Sequence, residues 1–382
     1  MRRVADARRK LESVSALSIP VNPAAVTAEW MTEVLHRSGA LPGPSSVASI
    51  EIEPLGAGVG VMGELARIRL AYAGDRGTAP ESVIVKSPSP FEENRAQGVG
   101  LGMYEAEIRF MRELDANTTV RTPHVFLADI VSGTAEFVVV MEDLGHLVMG
   151  DQVEGVSPQQ ARDAVKTMAD LHSCWWGKVQ TPSMEWVPSV VHARIEGLAQ
   201  MWPALWVGFN AKFASSLPEG GAEAGELIAA NYWRVMNVIA EWPWTLLHQD
   251  YRVDNLFFDA GNSEPVVVID WQGIGRGPGI YDLCYFLGGS LTVEDRRGHE
   301  ASLVQAYHER LVQRGVTDYS FEQLWHDYRF GHLTSCSTAV LVGATFDLGN
   351  ERGLALVDTL ASRHFQAVID HRSTEMLSEL NA

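Results

Sequence analysis

A chain of 382 residues exceeds what one hydrophobic core usually serves, so its length predicts two lobes or domains. Hydrophobic residues make up 46% and charged residues 20%, and no uninterrupted apolar run reaches the roughly 18 residues of a membrane span, so we expect a soluble protein. Its formal net charge of −18 would repel phosphate backbones and anionic lipid surfaces, which excludes nucleic acid and membrane as expected partners. The acidic excess permits a cationic substrate, although solubility alone explains it better.

Neither the N-terminus nor the cysteines indicate export. The first 20 residues, MRRVADARRKLESVSALSIP, begin with basic residues but contain no apolar core and no cleavage site of a signal peptide. The three cysteines, Cys174, Cys284 and Cys336, are widely spaced, fit no zinc-binding pattern and suit thiols in a reducing compartment. We therefore expect a cytoplasmic protein.

The predicted elements change in kind along the chain. Residues 1–47 predict a small helical extension, because Trp30 and Val34 lie at helical spacing. Residues 48–143 predict a β-rich lobe, in which apolar residues alternate in several short strands around one helix at about 101–114. Residues 144–382 predict a helical lobe, interrupted by a strand-rich stretch at 246–271.

Polar residues suited to phosphoryl transfer cluster in the second lobe. Asp250 is followed five positions later by Asn255, within HQDYRVDN, and Asp270 ends the next apolar strand. In phosphoryl transfer one carboxylate accepts or orients the hydroxyl proton, while an amide oxygen and a second carboxylate hold magnesium against the phosphates. The alternative interpretation is a pair of unrelated surface turns. The downstream acid at the end of a strand favours the functional interpretation.

The segment LLHQDYRVDNLFFD, followed by VVVIDWQGIGRGPGIYDL, resembles the kinase-like small-molecule phosphotransferases. This family's branch includes aminoglycoside phosphotransferases, choline kinases and ecdysteroid-kinase-like proteins, and the resemblance spans about residues 50–375. It implies a protein-kinase-like bilobal α+β fold, with an antiparallel sheet in the N-terminal lobe and a mainly helical C-terminal lobe. It also implies ATP and magnesium as cofactors, Asp250 as the catalytic base, and Asn255 and Asp270 as magnesium ligands.

The resemblance requires a glycine-rich phosphate loop in the first lobe. Gly56, Gly58, Gly60 and Gly63 lie in the expected place. A dinucleotide-binding turn is the alternative, but such a turn opens a helix, whereas residues 65–70 alternate like a strand. The strand after the glycines favours the kinase type of loop.

A lysine and a glutamate complete the predicted phosphate site of the first lobe. Lys86 ends the apolar strand VIVK and is the only lysine of that lobe, so we expect it to bind the α- and β-phosphates. An ordinary exposed lysine is the alternative. Glu107 shares the inward helix face with Tyr104 and Met111 and is expected to hold Lys86, with Glu105 as its rival.

The resemblance also implies supporting residues. The backbone at Glu142 and Leu144, after the strand FVVVM, is expected to bind adenine at a hinge between the lobes. His248 and Asp282 are expected to support the catalytic loop without taking part in the chemistry, and a position at a helix N-terminus is compatible with this role for Asp282. His172, in LHSCWW, is likewise expected to be structural.

These residues predict an ATP- and magnesium-dependent phosphotransferase that moves the γ-phosphoryl group to a hydroxyl of a small molecule. Only nine residues separate Gln272 from Asp282, too few for the activation segment on which protein kinases dock peptides, so no protein substrate is expected. A catalytically silent nucleotide-binding pseudokinase or scaffold, and a nucleotidyl (AMP) transferase on the same fold, remain the alternatives.

The acceptor itself stays open among an aminoglycoside, another antibiotic, a choline-like alcohol, a sugar and an apolar alcohol. Tryptophans between residues 176 and 244 suit an apolar acceptor, but aromatic residues at helical spacing are more typical of a core. A polycationic acceptor would need a ring of carboxylates, for which Asp254, Glu294 and Asp295 are candidates.

Overall fold

A computed structural model describes residues 17–55, 62–261, 264–345 and 351–381. The chain divides into two compact units. The first comprises Met1–Ile108 with His124–Asp143, and the second comprises Arg109–Pro123 with Leu144–Ala382.

The first unit is built on a five-stranded antiparallel sheet in the order β1-β2-β3-β5-β4 among the described residues. Alternation explains the second strand, because Ile68 is buried whereas its neighbour Arg69 is exposed. The strands are β1 Ser46–Leu55, β2 Gly63–Ala73, β3 Ser82–Pro88, β4 Val125–Ile130 and β5 Phe137–Glu142.

The helix Ala28–Ser38 is part of the core of the first unit. It begins where the Thr27 side chain accepts a hydrogen bond from the Trp30 N–H, and it ends at Gly39, whose φ of 78° suits glycine. Its apolar residues Met31, Val34 and Leu35 pack in one cluster with residues of the sheet. The unit also contains the helix Glu92–Gly100 and the helix Met103–Arg109 up to Ile108. The π-helical turn that follows, Phe110–Leu114, belongs to the second unit.

Helices dominate the second unit. Three of them begin with side-chain caps that the sequence supplies locally, namely Ser157 with Gln160 in a capping box, Thr292 on the Asp295 N–H and Ser320 on the Gln323 N–H. The described helices are Pro158–Trp175, Ala193–Phe213, Gly221–Ala240, Ile280–Ser290, Val293–Gln313, Phe321–Ser335, Ser337–Thr345 and Glu351–Asp370, with a final 3-10 helix Ser373–Asn381.

The short strands of the second unit position its polar residues. β6 Val148–Met149, β8 Leu256–Phe258 and β9 Val267–Val268 form one sheet in the order β6-β8-β9, and β7 Trp244–Leu247 pairs with β10 Gly275–Pro278. The pairing of β8 with β9 continues beyond the strands, because the Ile269 N–H donates to the Asn255 carbonyl at 3.0 Å. This hairpin therefore places Asn255 and the residue after Ile269 at the same end.

Aromatic side chains fill much of the core of the second unit. Trp202 stacks on Tyr232 with ring centroids 4.4 Å apart, and both rings are buried. The Trp206 ring lies on Gly225, where an added Cβ would be 2.1 Å from ring atom Cη2. These two tryptophans therefore belong to the core, as their helical spacing indicated, whereas Trp233 packs against it while partly buried.

Two further observations bear on the sequence expectations. None of the helices in the described ranges has the length and hydropathy that a membrane span requires. All three cysteines are free, with Cys284 and Cys336 buried and Cys174 partly exposed. An antiparallel sheet in one unit and a mainly helical second unit confirm the predicted α+β class.

Candidate active site

A buried ion pair lies in the first unit. The Lys86 Nζ is 2.8 Å from both carboxylate oxygens of Glu107, and the two residues are only 8% and 2% exposed. The helix Met103–Arg109 turns Glu107 inward together with Tyr104. Glu105 instead accepts a hydrogen bond from the Ser132 hydroxyl at 2.7 Å in an exposed position, so the structure pairs Lys86 with Glu107.

The described part of the glycine-rich loop approaches this lysine closely. Gly63 opens β2, and a Cβ added there would lie 3.2 Å from the Lys86 Cε and 3.1 Å from the Ser87 carbonyl oxygen. A larger residue would therefore crowd the lysine side chain. The other three predicted glycines, Gly56, Gly58 and Gly60, lie outside the described residues.

The two residues predicted to flank adenine belong to different units. Glu142 ends β5, where its N–H donates to the His124 carbonyl at 2.8 Å and its carboxylate accepts from the His124 N–H at 2.9 Å. Leu144 is 5% exposed and packs with Leu147 and Val267. The adenine-binding role of this backbone stays a prediction.

The catalytic loop predicted in the second unit is held at its start by Asp282. This carboxylate is fully buried and accepts hydrogen bonds from the backbone N–H groups of His248, at 2.7 Å, and Gln249, at 2.9 Å. Asp282 also contacts His172, whose Nε2 lies 3.3 Å from the Asp282 Oδ2. The Nδ1 of the same ring lies 2.7 Å from the Tyr307 hydroxyl. Gly279 occupies the N-cap of the helix Ile280–Ser290, so Asp282 is not the N-cap residue, and its carboxylate binds the loop.

His248 connects the loop to the strand that precedes Asp270. Its buried ring donates from Nε2 to the Ile269 carbonyl at 2.9 Å, and its Nδ1 accepts from the Asp250 N–H at 3.3 Å. Trp271 packs on the same ring, with centroids 4.8 Å apart, and stacks on Phe110 at 3.8 Å on an almost parallel plane. The positions of Asp250 and Asp270 are therefore coupled through one imidazole.

Asp250 accepts hydrogen bonds at both carboxylate oxygens. The Asn255 Nδ2 donates to Oδ2 at 2.9 Å, the Tyr285 hydroxyl donates to Oδ1 at 3.2 Å, and the Arg252 Nε lies 3.2 Å from Oδ1. The Asp250 side chain keeps 29% of its surface exposed, so a bound molecule could still reach it. Three donors thus fix the orientation of a carboxylate that remains accessible.

Sequence reasoning missed the roles of Arg252 and Tyr285. Burial disfavours the Arg252 charge, but the carboxylates of Asp250 and Asp254 outweigh it and raise the pKa of the guanidinium. Burial and then the Asp250 charge raise the Tyr285 pKa well above its ordinary value, so the phenol stays a hydrogen-bond donor at neutral pH. Tyr285 lies three residues after Asp282, and this helical spacing was the available signal.

Unusual backbone conformations mark the same region. Among the described residues, three residues other than glycine have positive φ, namely Gln249 at 62°, Asp270 at 65° and Arg372 at 53°. Such conformations cost on the order of 1–3 kcal/mol and persist where surrounding contacts impose them. Gln249 precedes the predicted base and Asp270 is itself a predicted metal ligand, which supports a functional role for this backbone.

Asn255 and Asp270 offer oxygen atoms suited to magnesium. The Asn255 amide nitrogen donates to the carbonyl and carboxylate of Asp250, so its amide oxygen is the atom left to bind a cation. The Asp270 carboxylate accepts from the Gln272 amide at 3.2 Å. Magnesium in phosphoryl-transfer sites takes few protein oxygens, since phosphates and water supply the others, and this pair fits that pattern. In the described ranges no group of three or more His, Cys, Asp or Glu side chains is placed to hold a metal.

Of the three carboxylates considered for a cationic acceptor, Asp254 and Asp295 have other partners, and Glu294 is exposed. The Asp254 Oδ1 accepts from the Gln152 N–H at 2.8 Å and lies 3.6 Å from the Arg352 Nη2. The Asp254 Oδ2 pairs with Arg252. Asp295 lies in the first turn of the helix Val293–Gln313, where its carboxylate accepts from the Thr292 hydroxyl. Asp254 therefore belongs to a network of ion pairs between carboxylates and arginines.

Known proteins match this chain in sequence pattern and in fold. The sequence model of the ecdysteroid kinase-like family matches residues 57–317. A choline kinase from Cryptosporidium parvum has a similar structure, with a TM-score of 0.55, 11% identity and coverage of 91% of this chain and 96% of that chain. A Ralstonia eutropha protein assigned as an aminoglycoside phosphotransferase has a TM-score of 0.50, 14% identity and coverage of 89% and 98%. No curated protein sequence matches. These findings confirm the protein-kinase-like fold and the resemblance seen in the motifs.

Proposed function

The chain belongs to the ecdysteroid kinase-like family, and from this premise we propose that it transfers the γ-phosphoryl group of ATP to a hydroxyl of a small molecule. One observation carries the proposal. A single loop and hairpin of the second unit bring together the carboxylate of Asp250 and the amide of Asn255, with Asp270 at the same hairpin end. A base and two magnesium ligands are what phosphoryl transfer requires of a protein.

Lys86 and Glu107 are proposed to serve the nucleotide. The buried Glu107 carboxylate fixes the lysine ammonium at 2.8 Å, so the positive charge is positioned before the phosphates arrive. Such a fixed charge stabilises the α- and β-phosphates without a reorganisation cost during the reaction. The small size of Gly63 leaves the lysine side chain uncrowded.

Asn255 and Asp270 are proposed to hold magnesium through their side-chain oxygens. When bound, the ion would neutralise negative charge on the phosphates. The protein's contribution is to fix the two ligands. The Ile269–Asn255 backbone bond joins the two chain segments, and His248 ties the loop to the Ile269 carbonyl.

Asp250 is proposed to orient the acceptor hydroxyl and accept its proton on a carboxylate oxygen as the phosphoryl group is transferred. Arg252, Asn255 and Tyr285 hold this carboxylate in one orientation. Most of the rate acceleration in such a reaction comes from positioning and charge neutralisation, with little covalent chemistry left to the protein. The hydrogen-bonded setting of Asp250 suits this task.

We infer that the acceptor is an uncharged hydroxyl compound. An acceptor must approach Asp250 to within hydrogen-bond distance, and there it meets the guanidinium of Arg252. Arg252 pairs with both Asp250 and Asp254, and Arg352 pairs with Asp151 at 2.9 Å. The two arginines cancel two of the three negative charges, so a polycationic acceptor would gain little there, and the guanidinium beside Asp250 repels a cationic group. The aminoglycoside and choline-like alternatives are therefore disfavoured.

The first test is phosphoryl transfer by the purified protein with ATP and magnesium. The acceptor panel would contain sterols, sugars, macrolides, choline and aminoglycosides, and mass spectrometry would follow both the acceptor and the nucleotide product. We expect ADP and an uncharged acceptor that has gained one phosphoryl group. Pyrophosphate with an AMP adduct would indicate nucleotidyl transfer. Nucleotide binding without turnover on any acceptor would support the pseudokinase alternative.

Two variants test the assigned roles. Asp250→Asn and Asp270→Asn should each lower kcat by about 10²–10⁴-fold, because one loses the proton acceptor and the other a charged metal ligand. Asp318→Asn, at an exposed position of the same unit, is the matched control and should retain activity. A kcat within about tenfold of wild type in either of the first two variants would contradict the proposed roles.

A further inference from the structure

A segment after β6 lies directly along the loop that carries Asp250. Gly150 donates its N–H to the Leu256 carbonyl at 3.0 Å. A Cβ added at Gly150 would lie 2.0 Å from the Val253 Cγ1 and 2.7 Å from the Val253 carbonyl oxygen. Only glycine permits this approach, so the segment that begins at Gly150 is packed against the loop backbone between Asp250 and Asn255.

Gln152 is the hydrogen-bonded centre of this contact. Its side chain is fully buried, its Oε1 accepts from the Val253 N–H at 2.8 Å, and its Nε2 donates to the Gly289 carbonyl at 2.8 Å. Its own N–H donates to the Asp254 carboxylate at 2.8 Å. One residue thus joins the loop at two consecutive positions to the helix Ile280–Ser290, which carries Asp282 and Tyr285.

Arg363 fixes the backbone of Gln152 from another side. Its guanidinium donates to the carbonyl oxygens of Gln152 at 2.8 Å, Val153 at 2.8 Å and Gly289 at 3.0 Å. These three bonds come from the helix Glu351–Asp370. Gln152 is therefore held at its own carbonyl while it holds Val253.

The chemistry of Gln152 is specific to this position. An apolar side chain of similar length would fill the space but would leave a buried N–H at Val253 and a buried carbonyl at Gly289 with fewer partners. An amide supplies both a donor and an acceptor at one end of a flexible side chain. A requirement for packing alone would be met by methionine or leucine.

We propose that Gln152 is a positioning residue for phosphoryl transfer. It holds Val253, which lies between Asp250 and Asn255 in the 3-10 turn Val253–Asn255, and thereby sets the geometry of the base and the metal ligand. This inference rests on the proposed function. Misplacement of catalytic groups by about 1 Å can reduce rates about 100-fold. A residue that contacts the catalytic loop without touching the substrate should therefore have a measurable effect on kcat.

The test compares Gln152→Met with Gln159→Met. Gln159 is exposed, and its side chain bonds Asp163 within its own helix, so the same substitution there leaves the loop untouched. Gln152→Met should lower kcat by about 10–100-fold while KM for ATP changes by less than about threefold. Circular dichroism and melting curves would establish the folded fraction. Arg363→Lys is a milder second variant, because lysine cannot reproduce the guanidinium's bonds to all three carbonyl oxygens. It should lower kcat by a smaller factor than Gln152→Met.

Hydrogen exchange provides a readout that needs no acceptor. The Val253 amide should lose protection in Gln152→Met and keep it in Gln159→Met. Unchanged Val253 protection, unchanged kcat, or a loss of kcat that only follows the folded fraction would overturn the inference. Another outcome is a wild-type protein that phosphorylates no acceptor while its Val253 protection still depends on Gln152. That result would overturn the proposed function and the positioning role of Gln152 in it, but it would confirm the contact between Gln152 and Val253.

Discussion

At the residue scale, the buried pair of Lys86 and Glu107 affects stability and, in the proposed function, nucleotide binding. Both side chains are almost fully buried, and each is the partner that compensates the other's charge. A buried ion pair contributes little net stability compared with apolar residues of the same size, but the loss of one partner leaves an uncompensated charge. Stability and nucleotide binding should therefore respond differently to mutation here.

A double-mutant cycle separates the two effects. Lys86→Met and Glu107→Leu should each lower the free energy of unfolding by about 3–5 kcal/mol, whereas the double variant should recover much of that loss. Nucleotide affinity should fall in every variant that lacks Lys86, including the double one. Urea unfolding and nucleotide titration measure these quantities. Additive losses of stability would show that the two charges are not coupled.

A second residue-scale feature is the buried imidazole of His364. Its ring stacks on Tyr285 with centroids 5.4 Å apart, and neither ring nitrogen has a hydrogen-bond partner among the described residues. Burial, followed by the charges of Arg363 and Arg296, lowers the His364 pKa to about 3. In the unfolded chain the His364 side chain has the ordinary histidine pKa of about 6.5. Between about pH 6.5 and about pH 3 the unfolded chain therefore binds a proton at His364 that the folded chain does not.

This histidine should make the fold acid-sensitive. As the pH falls from about 6.5 towards about 3, the unfolded state binds a proton that the folded state rejects, so stability should fall by about 1.4 kcal/mol per pH unit. His364→Phe should remove that contribution and flatten the dependence. Urea unfolding at pH 7, 6, 5 and 4 would measure it, with exposed His299→Phe as the control. Parallel curves for His364→Phe and wild type would contradict the prediction.

At the element scale, the β8–β9 hairpin shows why part of the site was predictable. Asn255 precedes one strand and Asp270 follows the next, so a short antiparallel pair must bring them to one end. The periodicity of the helix Met103–Arg109 likewise favoured Glu107 over Glu105. The spacing of residues along the sequence is enough to predict both features.

Contacts between distant elements were not predictable in the same way. Tyr285 reaches Asp250 from 35 residues away, and Gln152 reaches Val253 across 101 residues. Such pairs depend on how helices and loops pack, which one sequence does not specify. The same limitation applied to the tryptophans, because helical spacing predicts a buried face without identifying what covers it.

Helix packing at Gly225 provides an element-scale prediction. Gly225→Ala would push a methyl group into the Trp206 ring, and such crowding costs about 1–3 kcal/mol, against about 1 kcal/mol that alanine gains in a helix. The melting temperature should therefore fall. Gly298→Ala, in the helix Val293–Gln313 with no heavy atom within 4 Å of the new Cβ, should raise it. An equal rise in both variants would show that Trp206 moves aside without cost.

At the scale of the whole molecule, the proposed parts are divided between the two units. The ion pair belongs to the first unit, and the base and proposed metal ligands belong to the second. The chain length alone predicted two lobes, and the change from strand to helix patterns predicted their kinds. The acceptor remained open because its recognition depends on the arrangement of side chains from several helices.

Ligand binding should appear in the stability of the entire chain. A non-hydrolysable ATP analogue with magnesium, at 100 times its Kd, should stabilise the folded protein by about 2.7 kcal/mol and raise its Tm. Removal of magnesium with EDTA should reduce this shift. Asp270→Asn should lose the magnesium-dependent part, whereas Asp250→Asn should retain it. Equal shifts with and without magnesium would contradict the proposed role of Asp270.

The left-handed backbone at Asp270 restricts which amino acids natural selection can use there. Aspartate and asparagine tolerate this conformation better than most other residues, and glutamate shares the charge of aspartate without that tolerance. Only aspartate meets both demands, so the conformation limits this position in addition to the proposed cation. Glutamate, the usual conservative exchange, should therefore be selected against at this position, and an asparagine found there would mark a lineage that kept the fold after losing the chemistry.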